Sequence, residues 1–335
     1  MLREVLNKPL IRDTACKTND FRVKDLSHSG AMTCNLCLEL AHSPLQPHQT
    51  RFIQHFLRKL PNLFGIILGV CAFTAPVLSY AGVTLHAAGS TTVLPVVSTA
   101  ANIYHKQHPD VTITVSGGGS GVGIASMIQG TADIGMASRE IDAEEATKLN
   151  GRVDVFTIAK DAVAVVVSKA VYVGGVHQLS LKQIADIYRG KIKNWKKVGG
   201  PNARIFVIDK EASRGTRHVF AEAVLGNAHA RAPGASVISG SNNEEQSLVA
   251  HSNSAIGMLS NAWLNDAVRG VAVGKGNHAV LPDIQHVRDG SYPISRGLHV
   301  MVLRNGPPEA RAFVDFLLSS QGQNIVKQSG YLSVR

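Results

Sequence analysis

The sequence predicts an α/β protein in which parallel or mixed sheets are covered by helices, and three observations carry that expectation. Strand-like and helix-like stretches alternate from Gly82 onward, the order of elements that builds sheets flanked by helices. Asp161–Ser168 (DAVAVVVS) is a continuous valine-rich run, as expected of a strand buried on both faces. Glycine is abundant at 31 residues while aromatics are only 5%, a mix suited to many tight turns.

Taken in order, Val83–Ala88 reads as a short apolar strand and Thr92–His108 as a helix that His108-Pro109-Asp110 breaks. Val111–Val115 alternates β-branched residues and runs into the glycine-rich stretch Ser116–Gly123. Ile124–Gln129 reads as helix and Ala132–Ala137 as strand. After the 161–168 strand come helix Leu181–Tyr188, strand Ile205–Ile208, and helices Gly215–Leu225 and Glu244–His251. Strands Ala255–Leu259 and Leu298–Leu303 and a C-terminal helical stretch, Pro308–Gln328, complete the chain.

At 335 residues the chain has room for one large or two medium domains. Its 44% hydrophobic and 17% charged content is that of a globular protein and not of a disordered one. The net charge is +10, but residues 1–81 hold 9 basic and 5 acidic groups; the rest carries 34 − 9 = 25 basic and 24 − 5 = 19 acidic, or +6. Along the chain these charges read as dispersed, without a long Lys/Arg run or a reader motif, so nucleic acid is not an expected partner. The mild basicity suits the steering of small anions and equally suits ordinary solubility. Cys16, Cys34, Cys37 and Cys71 all precede residue 82, so the body has neither thiol nor disulfide. Cys34-x-x-Cys37 lacks a second ligand pair at finger spacing, so no metal and no cofactor are expected.

Arg51, Arg58 and Lys59 form a positive segment ahead of the apolar run Leu63–Leu78, which Pro76 interrupts. Ser79-Tyr80-Ala81 then fits a small-x-small cleavage site, so residues 51–81 read as a signal peptide cut after Ala81. The alternative is a membrane anchor formed by an uncleaved 63–80 segment, since the run approaches the ~18 apolar residues that begin to span a bilayer. Residues 1–50 show no periodicity and read as an unassigned extension or a start placed too far upstream.

Three loops share one design, a strand that ends in small hydroxylated residues and opens a helix. They are Ala88–Pro95 (AGSTTVLP), Ser116–Gly123 (SGGGSGVG) and Glu211–Arg217 (EASRGTR). A helix start offers unpaired N–H groups and the positive end of the helix dipole, which favour an anion. Glycine lets that backbone approach closely, hydroxyls add donors, and arginine supplies a planar, permanently charged fork. Ser138-Arg139, after the strand Ala132–Ala137, is a fourth contributor. Any one of these loops alone is more simply a helix cap; four after four strands are harder to attribute to capping. Rival motifs fail when counted: Gly190-Lys191 is followed by Ile192, and Val122 occupies the glycine place of both a dinucleotide fingerprint and a hydrolase elbow. With no elbow, a serine hydrolase has no nucleophile, and no zinc-type His-Glu-x-x-His is present.

Gly89–Pro95, Ser116–Gly123, Ala132–Glu140, Gly215–Phe220, Ala255–Met258 and Tyr292–Arg296 occur in an order and spacing that resemble the PstS-type phosphate-binding components of phosphate ABC importers. The resemblance covers residues 84–335. It implies a two-lobed, Venus-flytrap fold, each lobe a mixed sheet flanked by helices, with two crossover strands as hinge. The lobes would be 83–162 plus 262–335, and 163–261. It further implies an exported, periplasmic, monomeric protein that is not an enzyme, takes inorganic phosphate as ligand and docks on permease subunits in the inner membrane. Ser90, Thr91 and Thr92 would donate from the first loop and Ser120 and Gly121 from the second. Ser138 and Arg139 would come from the third strand end, with Gly215, Thr216 and Arg217 completing the cage. Lys210, Ser213 and Arg214 depart from the family pattern, and Arg214 is an added candidate for the anion. Phosphate is distinguished from sulfate by a carboxylate that accepts its remaining proton; Asp161, Glu140 and Glu211 are candidates, Asp161 first because it lies at the expected crossover. A binding protein for sulfate, molybdate or tungstate, or an exported phosphatase-like enzyme, is the alternative.

Overall fold

The computed structural model describes residues 82–335, and the expected signal peptide, the extension 1–50 and all four cysteines lie outside them. The strands are β1 (Val83–Gly89), β2 (Val111–Ser116), β3 (Ile134–Ala137), β4 (Val153–Ser168), β5 (Gln178–Leu179), β6 (Phe206–Lys210), β7 (Val237–Ser239), β8 (Ala255–Ser260), β9 (Val268–Gly270), β10 (Ala272–Val273), β11 (Ser295–Leu303) and β12 (Leu332–Ser333). The helices are α1 (Leu94–Gln107), α2 (Ser120–Gln129), α3 (Ala143–Leu149), α4 (Lys169–Val173), α5 (Leu181–Tyr188), α6 (Gly215–Leu225), α7 (Asn242–Ala250), α8 (Ile284–Arg288), α9 (Pro308–Leu318) and α10 (Ser320–Gln328).

One continuous sheet path runs β2-β1-β3-β11-β4-β8-β6-β7. β1 lies parallel to β2 and β3, and β6 parallel to β8 and β7. β11 is antiparallel to both β3 and β4. The 161–168 strand read from sequence is the second half of β4, a strand of 16 residues. Its first half, Val153–Ala162, pairs with β11, and from Val163 to Val167 it pairs with β8. The protein is therefore a mixed α/β structure of two lobes joined along β4.

Each lobe has its own core. In the first, Leu85, Ile134, Ile158, Val300 and Phe313 pack with the buried face of α1. In the second, Val163, Val165, Trp195, Phe220 and Ile256 pack together. The sequence reading assigns 262–335 wholly to the first lobe. In the structure β9 pairs with the second half of β4, and Val287, Tyr292 and Ile294 belong to the second core.

Local chemistry sets the boundaries. Asp142 and Glu145 form a reciprocal capping box that starts α3, and Ser180 and Gln183 do the same for α5. The single C-terminal helix expected over 308–328 is two, because Ser319 turns extended (φ −70°, ψ 168°) and caps the second by accepting from Gly322 N. Loops that follow β1, β2, β3 and β6 gather at the carboxyl ends of parallel strands, the place where open α/β sheets bind ligands.

Trp195 is the largest fully buried side chain and donates from Nε1 to Ser254 O at 2.9 Å. Trp195→Ala is expected to cost about 3–5 kcal/mol by opening a cavity in the second core. Denaturant unfolding measures it, and an unchanged midpoint would remove Trp195 from that role.

Candidate functional site

A small, tight cavity lies between the lobes, lined by Ser90, Thr91, Thr92, Gly119, Ser120, Ser138, Lys210, Arg214, Gly215, Thr216, Ser241 and Asn242. All but two of these residues sit at the starts of α1, α2, α6 and α7 or just ahead of them; Ser138 directly follows β3, and Lys210 ends β6. First-turn N–H groups have no carbonyl in their own helix to bond, so this geometry concentrates donors and positive dipole ends on one small space.

Glycines make the convergence possible. Gly89 has φ +136°, and a Cβ there would meet Met136 O at 2.2 Å, so β1 reaches α2 and β3 only without a side chain. Gly215 brings α6 against the first lobe: a Cβ on it would lie 2.2 Å from Ser120 Oγ and 2.7 Å from Ser138 Oγ. Gly119 leaves room for the Arg214 side chain, whose Cδ a Cβ would meet at 2.8 Å.

Around the cavity, hydrogen bonds cross between the lobes from Gly121, Asn242 and Arg296. Gly121 N donates to Ser213 O at 3.0 Å. Asn242 Nδ2 donates to Thr92 Oγ1 at 3.0 Å. Arg296 Nη1 donates to Thr216 Oγ1 at 2.9 Å, and also to Ser138 O and Oγ at 3.2 and 3.3 Å. Thr92 Oγ1 accepts from Asn242 and, at 3.4 Å, from Arg296 Nη2. Its lone pairs are thus engaged and its own proton is left to donate.

The charges are buried and paired. Arg296 holds Asp161 Oδ2 with Nη2 at 2.6 Å and Nε at 2.9 Å, while Ser260 Oγ donates to Asp161 Oδ1 at 2.9 Å. Burial pushes the Asp161 carboxyl up from its ordinary value, and the Arg296 guanidinium pulls against it. Lys210 contacts Glu245, and both are buried. Burial draws the Lys210 ammonium down and pushes the Glu245 carboxyl up, with each partner opposing the other's shift. Glu245 also accepts from Ser239 Oγ at 3.0 Å.

Of the residues expected from sequence, Ser90, Thr91, Thr92, Ser120, Ser138, Arg214, Gly215 and Thr216 line the cavity. Gly121, Arg139, Asp161 and Arg217 do not. Arg139 forks onto Glu145 at 2.6 and 2.7 Å and also reaches Glu140 O. Arg217 holds Asp209 at 2.7 Å and the carbonyl of Ala230 at 2.5 Å, which ties down the loop after α6. Arg214, though it lines the cavity, forks onto Glu211 at 2.8 and 2.5 Å. The three carboxylates expected to face the anion are thus engaged elsewhere: Asp161 by Arg296, Glu211 by Arg214, and Glu140, 82% exposed, beside His299 at 3.0 Å.

Sequence reasoning missed Gly119, Lys210, Ser241, Asn242 and the bridging role of Arg296. Lys210 and Arg296 carried a signal, because each stands in a motif that the sequence singles out. Asn242 carried none, since α7 begins two residues before its expected start. Among the described residues no group of three or more His, Cys, Asp or Glu is placed to hold a metal.

Residues 75–321 match the model of a PBP superfamily domain. The chain is 31% identical over 256 residues to the phosphate-binding protein PstS of Bacillus subtilis, covering 75% of this chain and 81% of that protein. It is similar in structure to a Clostridium perfringens protein described as a phosphate ABC transporter substrate-binding protein and solved with bound phosphate (34% identity, TM-score 0.70, 76% of this chain and all of that one). An ABC-type phosphate transport receptor from Vibrio cholerae aligns at 31% identity and TM-score 0.61, over 74% of this chain and 99% of that one.

Two substitutions test the geometry. Gly215→Ala is expected to hold the lobes apart and weaken anion binding by about tenfold or more, on the order of 1.4 kcal/mol, with little change in ligand-free stability. Asp161→Ala is expected to cost about 3–5 kcal/mol of stability, because it strands a buried guanidinium. Calorimetric titration reads the first and thermal unfolding the second.

Proposed function

Because this chain belongs to the PBP superfamily, in the branch of the PstS phosphate-binding proteins, we propose that it captures inorganic phosphate between its lobes and delivers it to the permease of an ABC importer. It does so as an exported, periplasmic, monomeric protein. The signal-like segment 51–81 and the export implied by the family support that location.

The observation that carries the proposal is the convergence of four helix starts on one cavity lined by hydroxyls, backed by two buried ion pairs: Lys210, held by Glu245, lines the cavity, and Arg296, held by Asp161, donates to its Ser138 and Thr216. A tetrahedral anion entering there meets donors from every side. Backbone N–H groups and the hydroxyls of Ser90, Thr91, Ser120 and Thr216 offer it charge-dipole contacts, and the cations of the buried Lys210 and of Arg214 line the same cavity. The proposed chemistry is capture, in keeping with relatives that are phosphate-binding proteins; in the cavity wall the hydroxyls of Ser120 and Ser138 lie within hydrogen-bond distance of each other at 3.2 Å.

One observation favours a broader selectivity. Among the described residues no carboxylate lines the cavity, which leaves hydroxyls and backbone carbonyls to accept the proton still carried by phosphate. A site of that kind lacks the like-charge repulsion that rejects sulfate.

Titration of ligand-free protein with phosphate is expected to give one-to-one binding, with Thr91→Ala and Thr216→Val each weakening it about tenfold. Sulfate in excess is expected to compete. Binding unchanged in both variants would remove the cavity from the function, and complete indifference to sulfate would require an acceptor carboxylate in the bound form.

A further inference from the structure

The surplus positive charge of the body is concentrated in one short segment. Between residues 182 and 204 stand Lys182, Arg189, Lys191, Lys193, Lys196, Lys197 and Arg204 against one acid, Asp186, for a net 7 − 1 = +6. Residues 82–335 as a whole carry 25 − 19 = +6. The remaining 18 basic and 18 acidic groups cancel, so charges that look dispersed along the chain amount to a neutral body with one basic face.

All seven cations are exposed. Asp186 engages Lys182 at 2.6 Å and Lys191 at 3.7 Å. Among the described residues no carboxylate pairs with Lys193, Lys196, Lys197 or Arg204. An open groove of about 910 Å³ is lined by Arg189, Lys193 and Arg204.

This face lies away from the anion cavity. Ile205 N donates to Lys193 O at 2.9 Å and Trp195 N to Ala203 O at 3.0 Å, which pins the basic loop to the amino end of β6. The cavity is at the carboxyl end of β6, at Lys210. At about 3.3 Å per residue the two ends are roughly 13 Å apart, beyond the ~8 Å Debye length at physiological salt. The patch is therefore poorly placed to steer phosphate.

A second observation bears on the partner. Val173 is 74% exposed, the most exposed of the large apolar side chains among the described residues. The turn that carries it packs on the basic loop: a Cβ on Gly174 would meet Pro201 Cδ at 2.9 Å, and one on Gly175 would meet Gly199 O at 3.1 Å. An apolar tip packed on a loop that carries unpaired lysines matches the chemistry of a bilayer interface, where headgroup phosphates meet lysines and apolar atoms enter below them. Trp195, the tryptophan of the basic loop, is fully buried, so that loop offers no indole for nucleic-acid bases to stack on.

We propose that this face docks on an anionic phospholipid bilayer, with Lys193, Lys196, Lys197 and Arg204 on headgroup phosphates and Val173 entering the interface. Docked this way, the protein keeps its cleft free, because the cavity opens at the other end of β6.

The test is co-sedimentation of the full chain with vesicles of phosphatidylglycerol or of phosphatidylcholine. The segment 51–81, with its own three cations, is common to every variant, so the difference between the unaltered chain and a variant isolates the charged face. Binding to phosphatidylglycerol is expected to exceed binding to phosphatidylcholine by about tenfold or more and to lose that excess in high salt. The variant with Lys193→Gln, Lys196→Gln, Lys197→Gln and Arg204→Gln is expected to lose the excess while keeping its phosphate affinity. Val173→Ser is expected to lower binding to phosphatidylglycerol without abolishing its salt sensitivity. Equal binding to both lipids overturns the proposal, as does an excess that survives in the four-fold variant. A fall in phosphate affinity in that variant also overturns it, since the charge would then serve anion capture.

Discussion

Arg296 and Asp161 face each other directly across β11 and β4, paired in the antiparallel register and almost fully buried. Placing two charges there costs several kcal/mol per ion in lost hydration, a cost offset only when geometry and additional hydrogen bonds are nearly complete. Here they are. The guanidinium fork closes on one carboxylate oxygen, Ser260 supplies a bond to the other, and the remaining guanidinium N–H groups go to Ser138, Thr216 and Thr92. A lysine in place of Arg296 has no planar fork with which to serve a carboxylate and three hydroxyl-bearing residues at once. The pair therefore does more than neutralise itself: by donating to Thr92 and Thr216 it sets which way those hydroxyls present their own protons.

That orientation is useful only because the backbone comes close enough to share it. The absence of side chains at Gly89, Gly119 and Gly215 lets β1, α2 and α6 approach within a few ångströms of one another. Hydroxyls and backbone amides reach what a longer side chain would otherwise have to span. The arginines that sequence reasoning assigned to the ligand, Arg139 and Arg217, work one layer out, where each is pinned by a carboxylate and braces a loop. The cage is built from short groups held by long ones.

Much of this was legible in the sequence. The strand–helix alternation foretold the sheet, and the glycine- and hydroxyl-rich loops foretold which strand ends meet, because both depend on local chemistry. What was not legible depends on pairing across the chain. Nothing local distinguishes an arginine aimed at a ligand from one that finds Glu145 or Asp209. Nor does a valine-rich octet announce that it is half of a longer strand, since Val153–Lys160 mixes polar residues into the same element. Arg296 stood in a recognised motif, but its role emerges only when β11 is laid beside β4. The basic face was hidden for the same reason: seven charges spaced over 23 positions (182–204) read as ordinary until the balance of the rest is subtracted.

The unbroken run of β4 has a mechanical consequence. Val153–Ala162 is laced to β11 and Val163–Val167 to β8. The junction itself is stapled: Ala162 N donates to Asn261 Oδ1, Val163 N to Ile294 O, and Tyr292 Oη to Val163 O. Little slack remains for a freely swinging joint there. Parting of the lobes must be absorbed as small torsions spread along a hydrogen-bonded ribbon, as in a leaf spring. Opening the cleft then works against the bending of a paired strand as well as against the groups that line the cavity.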